Sequence, residues 1–570
     1  MGIGFLGSKL LYKVKQMHRT ENINLYFCLF CFFLAQFLYS LVGAGFGSAF
    51  LSDMVYPQFW IPWEIVKAHP WESLFYYHVQ SPLFTAYTFL FALIFPPDGQ
   101  LGIYFLHTIL GLLAITSLYK IMRYLQINKT LTTYLILAFI LSPSFNLYQS
   151  WGIYDFPVVC LILISTYLFM KFLESSTWLN GFLFFLTISI LCNIRPLYHI
   201  IFYFIPLTLI LLLVLKQHRK IILQSCLIPF LLILAPYAKN YYLFHIFTLN
   251  SWQGEVLSNA TLQWNVTLKE RLEGVKKGFF SDLALCPHTA DGWPDKMANM
   301  GYTSSYCYDV VAQKYRDAYI KKLNKDYSHI AILNTTPDAK RLHRNVLGNI
   351  GMSQEYGKNA IAALIHYPHA YFSSINLGWE SYFSKTNYFY SEMGNPRNLP
   401  DSLLTNWLAY YPHISHSIHS IDINKSIFLF YGLPFLVVFG FAYTRLQKYL
   451  PHFCIAYFAG FLFIKILSVW DMLGYALFLS IIVIVGARLE KNNNLTWDTK
   501  RLTIVYILCN IIYTTLFINF TTSSEENRYR FYIDALFLIL LGLLIESVIL
   551  PTAHRIITYL KQGLQYETKP

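Results

Sequence analysis

The stretch "SSEENRYRFYID", residues 523–534, lies between two apolar runs, "LTIVYILCNIIYTTLFINF" (502–520) and "YIDALFLILLGLLIESVIL" (532–550). It packs Glu525, Glu526, Arg528 and Arg530 into a connection too short to be a domain. What these charges do depends on the side of the membrane they face, and that side follows from the rest of the chain. Of 570 residues, 55% are hydrophobic and only 13% charged. A globular domain carries about a quarter charged residues, and apolar runs of about 20 residues, the length that crosses a hydrocarbon core, recur here. The composition describes an all-α polytopic membrane protein and excludes a soluble enzyme. It also makes the net charge of +13 a signal of topology, with no nucleic-acid partner implied.

Lys9, Lys13, Lys15 and Arg19 place the N-terminus in the cytoplasm, followed by an uncleaved anchor over 24–45. Basic residues then close the spans 101–121, 156–173, 198–215, 427–444, 471–487 and 531–549 on the inner side. The returning spans are 130–148, 179–195, 221–239, 451–468 and 502–520. The expectation is about twelve crossings with both termini inside. The run 81–97, "SPLFTAYTFLFALIFPP", is short and ends in a proline pair. Counting it as a crossing would move Lys120, Arg123 and Lys129 outside. It reads as an outer juxtamembrane or re-entrant helix.

Three parts result: a transmembrane module, 1–248, whose first outer loop is 46–100; an extracytoplasmic, mostly α domain, 249–425; and terminal membrane helices, 426–570. The middle part is polar and ends in an apolar-periodic stretch, "NAIAALIHYPHAYFSSINLGW" (359–379), expected as one helix against the membrane face. Cys286 and Cys307 both fall in this part, where an oxidising compartment favours a bridge.

The quoted stretch therefore lies outside, where arginines run against the usual side preference. Pairing with the neighbouring glutamates is one explanation; capture of an anion by the guanidinium forks is the other. Acids gather on the same face: Asp53, beside Tyr56, follows the first span, then come Glu72, His78 and Gln80, and Asp155 stands at the mouth of a span. Asp155, two residues before Pro157, is also placed to cap a helix. Arg195 and Lys239 end two other spans on this side, and Lys465 falls within a third.

The order of these segments resembles the GT-C superfamily of polyprenyl-phosphate-sugar-dependent glycosyltransferases, which includes aminoarabinose transferases and protein O-mannosyltransferases. The likeness is carried by Asp53, "YYHVQSPLF", "YQSWGIYDFPVVCLIL", "NIRPLYHII", "AKNYYLFHIFTLNSWQG" and "EENRYRFYIDALFLIL". The chain departs from the family in a paired acidic motif reduced to Asp53, in Gln80-Ser81-Pro82 where a proline pair is common, and in Lys239 where arginine is common. The resemblance implies a GT-C-like fold and transfer of a sugar from a polyprenyl-phosphate donor to a lipid, glycan or protein acceptor, with inversion. The membrane would be a bacterial plasma membrane with the site on its outer face, or alternatively that of the endoplasmic reticulum. It implies Asp53 and Asp155 as catalytic residues, Asp53 as the general base and Asp155 to orient the acceptor or help hold a metal, and Arg528, Arg530, Arg195 and Lys239 as ligands of the donor phosphate. Tyr56, Glu72, His78, Gln80 and Glu526 would contact substrate. No compact metal-ligand spacing occurs, and a divalent metal stays an open alternative. A lipid-linked oligosaccharide ligase or polymerase would share these features. A transporter would need charges near the midplane between inverted repeats, and no repeat is evident.

If 81–97 does not cross, a cysteine introduced at Asp98 will react with a membrane-impermeant thiol reagent from the outside, and one at Asn128 only from the cytoplasm. The reverse pattern would make 81–97 a crossing and undo the span assignment.

Overall fold

The computed structural model describes residues 23–38, 63–95, 99–150, 153–263, 266–286, 306–334, 345–383, 499–521 and 526–546, with the single positions 61, 550 and 558. Among these residues the secondary structure is helical, without strands. In chain order the helices are α1 (Ile23–Leu38), α2 (Trp63–Ala68), α3 (Pro70–Phe75), α4 (Pro82–Ile94), α5 (Gln100–Tyr124) and α6 (Lys129–Ile140). There follow α7 (Pro143–Ser150), α8 (Asp155–Glu174), α9 (Trp178–Ile194), α10 (Ile205–Val214), α11 (Arg219–Phe244), α12 (Gln253–Ser258) and α13 (Leu268–Lys277). The last are α14 (Ala312–Leu323), α15 (Gly348–His366), α16 (Pro368–Phe383), α17 (Thr499–Thr521) and α18 (Glu526–Leu544).

Four stretches among the described residues, Leu101–Tyr124, Asp155–Glu174, Lys216–Phe244 and Thr499–Asn519, are long and apolar enough to cross a membrane. They sit within α5, α8, α11 with the short 3-10 turn Lys216–His218 before it, and α17. Several shorter apolar helices accompany them, including α1, α4, α6, α9 and α10. α4, with 13 residues, is about 20 Å long at 1.5 Å per residue, less than the ~30 Å core. The expected spans 427–444, 451–468 and 471–487, with Lys465, lie outside the described residues.

α8 is the central helix, packed against α5, α9, α17 and α18. Its interior hydroxyls are satisfied locally: Ser165 and Thr166 each donate to the Ile162 carbonyl at 2.8 Å. α9 lies against α11 at Gly181, where a Cβ would come within 2.6 Å of Ser225 Oγ. Ser225 in turn donates to the Trp178 carbonyl at 3.1 Å. α11 buries Ile222, Ser225, Cys226, Pro229 and Ile233 on one side. It leaves Leu223, Leu227, Ile228, Leu231 and Leu232 exposed, the apolar stripe a lipid-facing helix presents.

Four expectations need correction. The run 130–148 is two helices, because Pro143 disfavours helical geometry at Ser142. The side chain of Asn146 donates to the freed carbonyls of Ile140 (2.8 Å) and Ser142 (2.9 Å). The run 198–215 opens with a wide π turn, Ile200–Phe204, before α10. The stretch 359–379 is likewise broken at Tyr367, ahead of Pro368. α15 lies in the core of the polar domain; α16 adds Ala370 to that core and also packs on α17 and α18. Finally, the quoted stretch is not all loop: α18 begins at Glu526, so Arg528 and Arg530 lie in its first turns.

The polar domain packs α15 against α12 and α14. Gly254 is required at the first contact, since a Cβ there would fall 1.8 Å from the Ser353 carbonyl oxygen. Thr267 and Glu270 form a capping box at the start of α13. Arg271 is buried and donates to the carbonyls of Val266 (3.0 Å) and Leu262 (2.9 Å), and burial pulls its guanidinium down to about 10. Cys286 and Cys307 are joined by the expected disulfide. It is buried with Leu283, Val311, Met352 and Tyr356.

Closing a loop with a sequence separation of 21, this disulfide is worth about 3 kcal/mol. Cys307→Ser should make the domain correspondingly more sensitive to proteolysis, and mapping of unreduced peptides should recover the linked pair. A free thiol at either position in the native protein would contradict the assignment.

Candidate functional site

The N-terminal ends of α8 and α18 converge with the C-terminal end of α9. α9 ends at Ile194, and Arg195 takes an extended conformation (φ −132°, ψ 117°), as expected of a residue preceding proline, here Pro196. The turn that follows is tied to α17 by tyrosine hydroxyls. Tyr513 donates to the Leu197 carbonyl (2.6 Å), Tyr203 donates to Asn510 Oδ1 (2.6 Å), and Tyr198 pairs with Thr514 Oγ1 (3.1 Å). Arg195 thus projects from a braced turn. Its Nη2 donates to the Tyr529 hydroxyl at 2.5 Å, and its guanidinium carbon lies over the rings of Tyr154 (4.2 Å) and Tyr529 (4.9 Å).

Asp155, the first residue of α8, is fully buried. It does not cap the helix as expected: the N-cap position is Tyr154, with no side-chain cap bond. Instead the Asp155 carboxylate accepts from the Tyr532 hydroxyl, one turn along α18 from Tyr529. α4 adds the third wall, with Phe84 edge-on to Tyr154 at 5.2 Å. The Tyr87 hydroxyl is buried beside Asp155: burial raises it well above its ordinary value, and the neighbouring carboxylate adds to the effect. Sequence reasoning therefore placed Asp155 and Arg195 on one face, and the structure brings them into one cluster. It overlooked Tyr154, Tyr529, Tyr532 and Tyr87. A signal was available, since tyrosines adjoin the charges in both "IYDF" and "RYRFYID".

The other expected residues sort differently. Lys239 Nζ donates to the Tyr77 carbonyl at 2.6 Å, fixing the α3–α4 connection on the end of α11. His78 is fully buried. Its Nε2 meets the Asn345 carbonyl (3.0 Å) and so carries the ring proton, while Nδ1 accepts from the Ser251 hydroxyl (2.8 Å). With both nitrogens engaged, His78 ties the α3–α4 connection to the polar domain, a structural contact in place of the expected substrate contact. Glu72 lies 3.8 Å from His69 Nδ1 on α3, and Gln80 is half-buried in the turn before α4. Asp53 and Tyr56 lie outside the described residues, and Glu526, Arg528 and Arg530 are described as helical backbone only. Among the described residues no group of three His, Cys, Asp or Glu side chains is arranged to hold a metal.

The chain matches no family model, no curated protein and no solved structure.

Removing the His78 ring strands the buried Asn345 carbonyl, at about 1–3 kcal/mol, and unpairs the half-buried Ser251 hydroxyl. His78→Ala should therefore lower the melting temperature in detergent clearly, while Gln80→Ala should leave it nearly unchanged. Equal, small effects would place His78 outside the framework.

Proposed function

We propose that the chain is a GT-C-like membrane glycosyltransferase with about twelve crossings, moving a sugar from a polyprenyl-phosphate donor to an acceptor at the outer face of a bacterial plasma membrane. The observation that carries the reading is the cluster at the outer ends of α8, α9 and α18. A braced arginine and a buried carboxylate are held there by neighbouring tyrosines of one helix. Such a pair suits a reaction in which an anion departs and a hydroxyl is activated. It also lies beside the first turns of α18, where Arg528 and Arg530 stand.

In the proposed step the acceptor oxygen attacks the anomeric carbon as the bond from that carbon to the phosphate oxygen breaks. The electron pair leaves with the polyprenyl phosphate, and the acceptor proton passes to a carboxylate. Arg195, with Arg528 and Arg530, meets the growing charge on the leaving phosphate; guanidinium forks match its geometry. Asp53 takes the proton, and Asp155, with one oxygen held by Tyr532, orients the acceptor. A single displacement inverts the anomeric centre. Lys239 holds the α3–α4 connection through Tyr77.

The test is sugar transfer by the purified protein in vesicles, supplied with polyprenyl-phosphate sugars. Asp53→Asn should lower turnover by about 10²–10⁴, the range for a lost general base, while leaving donor binding intact. Collapse in Asp155→Asn with near-normal Asp53→Asn would exchange the two roles. Full activity in both, or in Arg528→Ala and Arg530→Ala, would leave the reading without its catalyst or its anion site.

A further inference from the structure

An arginine that grips an anion must give up its rotamer freedom at the moment of binding, unless the protein has already fixed it. Arg195 is fixed twice. Its backbone is set by Pro196 and the turn tied to α17. Its head group is set by Tyr529, which accepts from Nη2 at 2.5 Å and lays its ring 4.9 Å from the guanidinium carbon. Tyr529 is supplied by α18, which packs on α8, α5 and α6, and its ring is braced edge-on by Tyr532 at 5.6 Å.

We infer that Tyr529 is a positioning residue for the carrier phosphate, holding Arg195 in the orientation that receives a phosphomonoester headgroup at the membrane surface. The inference rests on the transfer reaction proposed above, but its readout is binding. The ligand class is a lipid carrying one phosphate on a long apolar chain. Tyr529 touches Arg195 by hydrogen bond and by ring face, and these two contributions are separable. Tyr529→Phe keeps the ring and removes the hydroxyl; Tyr529→Leu removes both.

The experiment measures affinity of the full-length protein in nanodiscs for a polyprenyl phosphate and for the polyprenol of equal chain length. The ratio of the two isolates the headgroup from the chain. Tyr529→Phe should lower this ratio about tenfold, as expected for a lost hydrogen bond to a charged group. Tyr529→Leu should lower it several-fold further through the lost cation–π contact. Tyr134→Phe, which removes an exposed hydroxyl on α6 outside the cluster, should leave the ratio unchanged. Inorganic phosphate that competed as well as the lipid would point to a site for the free anion and overturn the headgroup assignment. A ratio indifferent to both Tyr529 variants, whatever their melting temperatures, would reduce Tyr529 to a packing residue and overturn the inference. Wild-type protein that binds the phosphate in a Tyr529-dependent way but transfers no sugar would uphold the positioning role and refute the transferase reading.

Discussion

The constraint on which the site depends is the burial of a carboxylate at the top of the central helix. Asp155 has no exposed surface, and a polar group removed from water must be met by hydrogen-bonding partners. One donor comes from Tyr532 on the last helix. Docking of α18 against α8 therefore helps the carboxylate to be tolerated, and it brings Tyr529 to Arg195. One cost of burial thus fixes the position of the last helix and, through it, the geometry of a cation presented by α9. The arrangement is reciprocal, because the turn carrying Arg195 is itself braced by α17, the helix that precedes α18.

The same economy governs the interior elsewhere. Where proline breaks a helix within the apolar bundle, the freed carbonyls are not left bare. Asn146 covers those of Ile140 and Ser142 and also accepts from Gln36 of α1 at 2.7 Å. Tyrosine hydroxyls do comparable work between α8, the turn after α9 and α17: Ser165 pairs with Tyr506 at 3.1 Å, and Tyr203 donates to Asn510. In an environment without water, such polar contacts fix which helices meet, since apolar packing alone favours many arrangements.

Much of the helical framework could be read from local pattern. The limits of α5, α8, α9 and α17 follow from apolar run length and flanking charge, and the short α4 from its prolines. The breaks before Pro143 and Pro368 were present in the sequence but outweighed by continuous apolar runs on either side. The charged members of the site, Asp155 and Arg195, stand out because ionisable groups at span ends are conspicuous. Their tyrosine partners do not, because tyrosine is abundant in this chain and the pairs are separated by 334 and 377 residues. No periodicity encodes a contact of that range. His78 misled for the opposite reason: a histidine beside charged residues suggests chemistry, while its burial and two partners are visible only in three dimensions.

The joint at the end of α11 has a wider consequence. The chain leaves that helix through His245 in a left-handed conformation (φ 53°), and three residues of the polar domain reach back to its last carbonyls. Lys325 Nζ donates to Tyr242 (2.6 Å), the Tyr327 hydroxyl to Leu243 (2.9 Å), and the Tyr319 hydroxyl to Phe244. A lysine there also meets the negative end of the helix dipole. Because every one of these bonds is made to main chain, this hydrogen bonding needs from α11 only its backbone, and side-chain dependence is confined to Leu243 and Phe244, which are buried with Tyr319 and Leu323 of the polar domain. The exposed apolar surface earlier in that helix can drift to suit membranes of different thickness or composition while the polar domain keeps its seat.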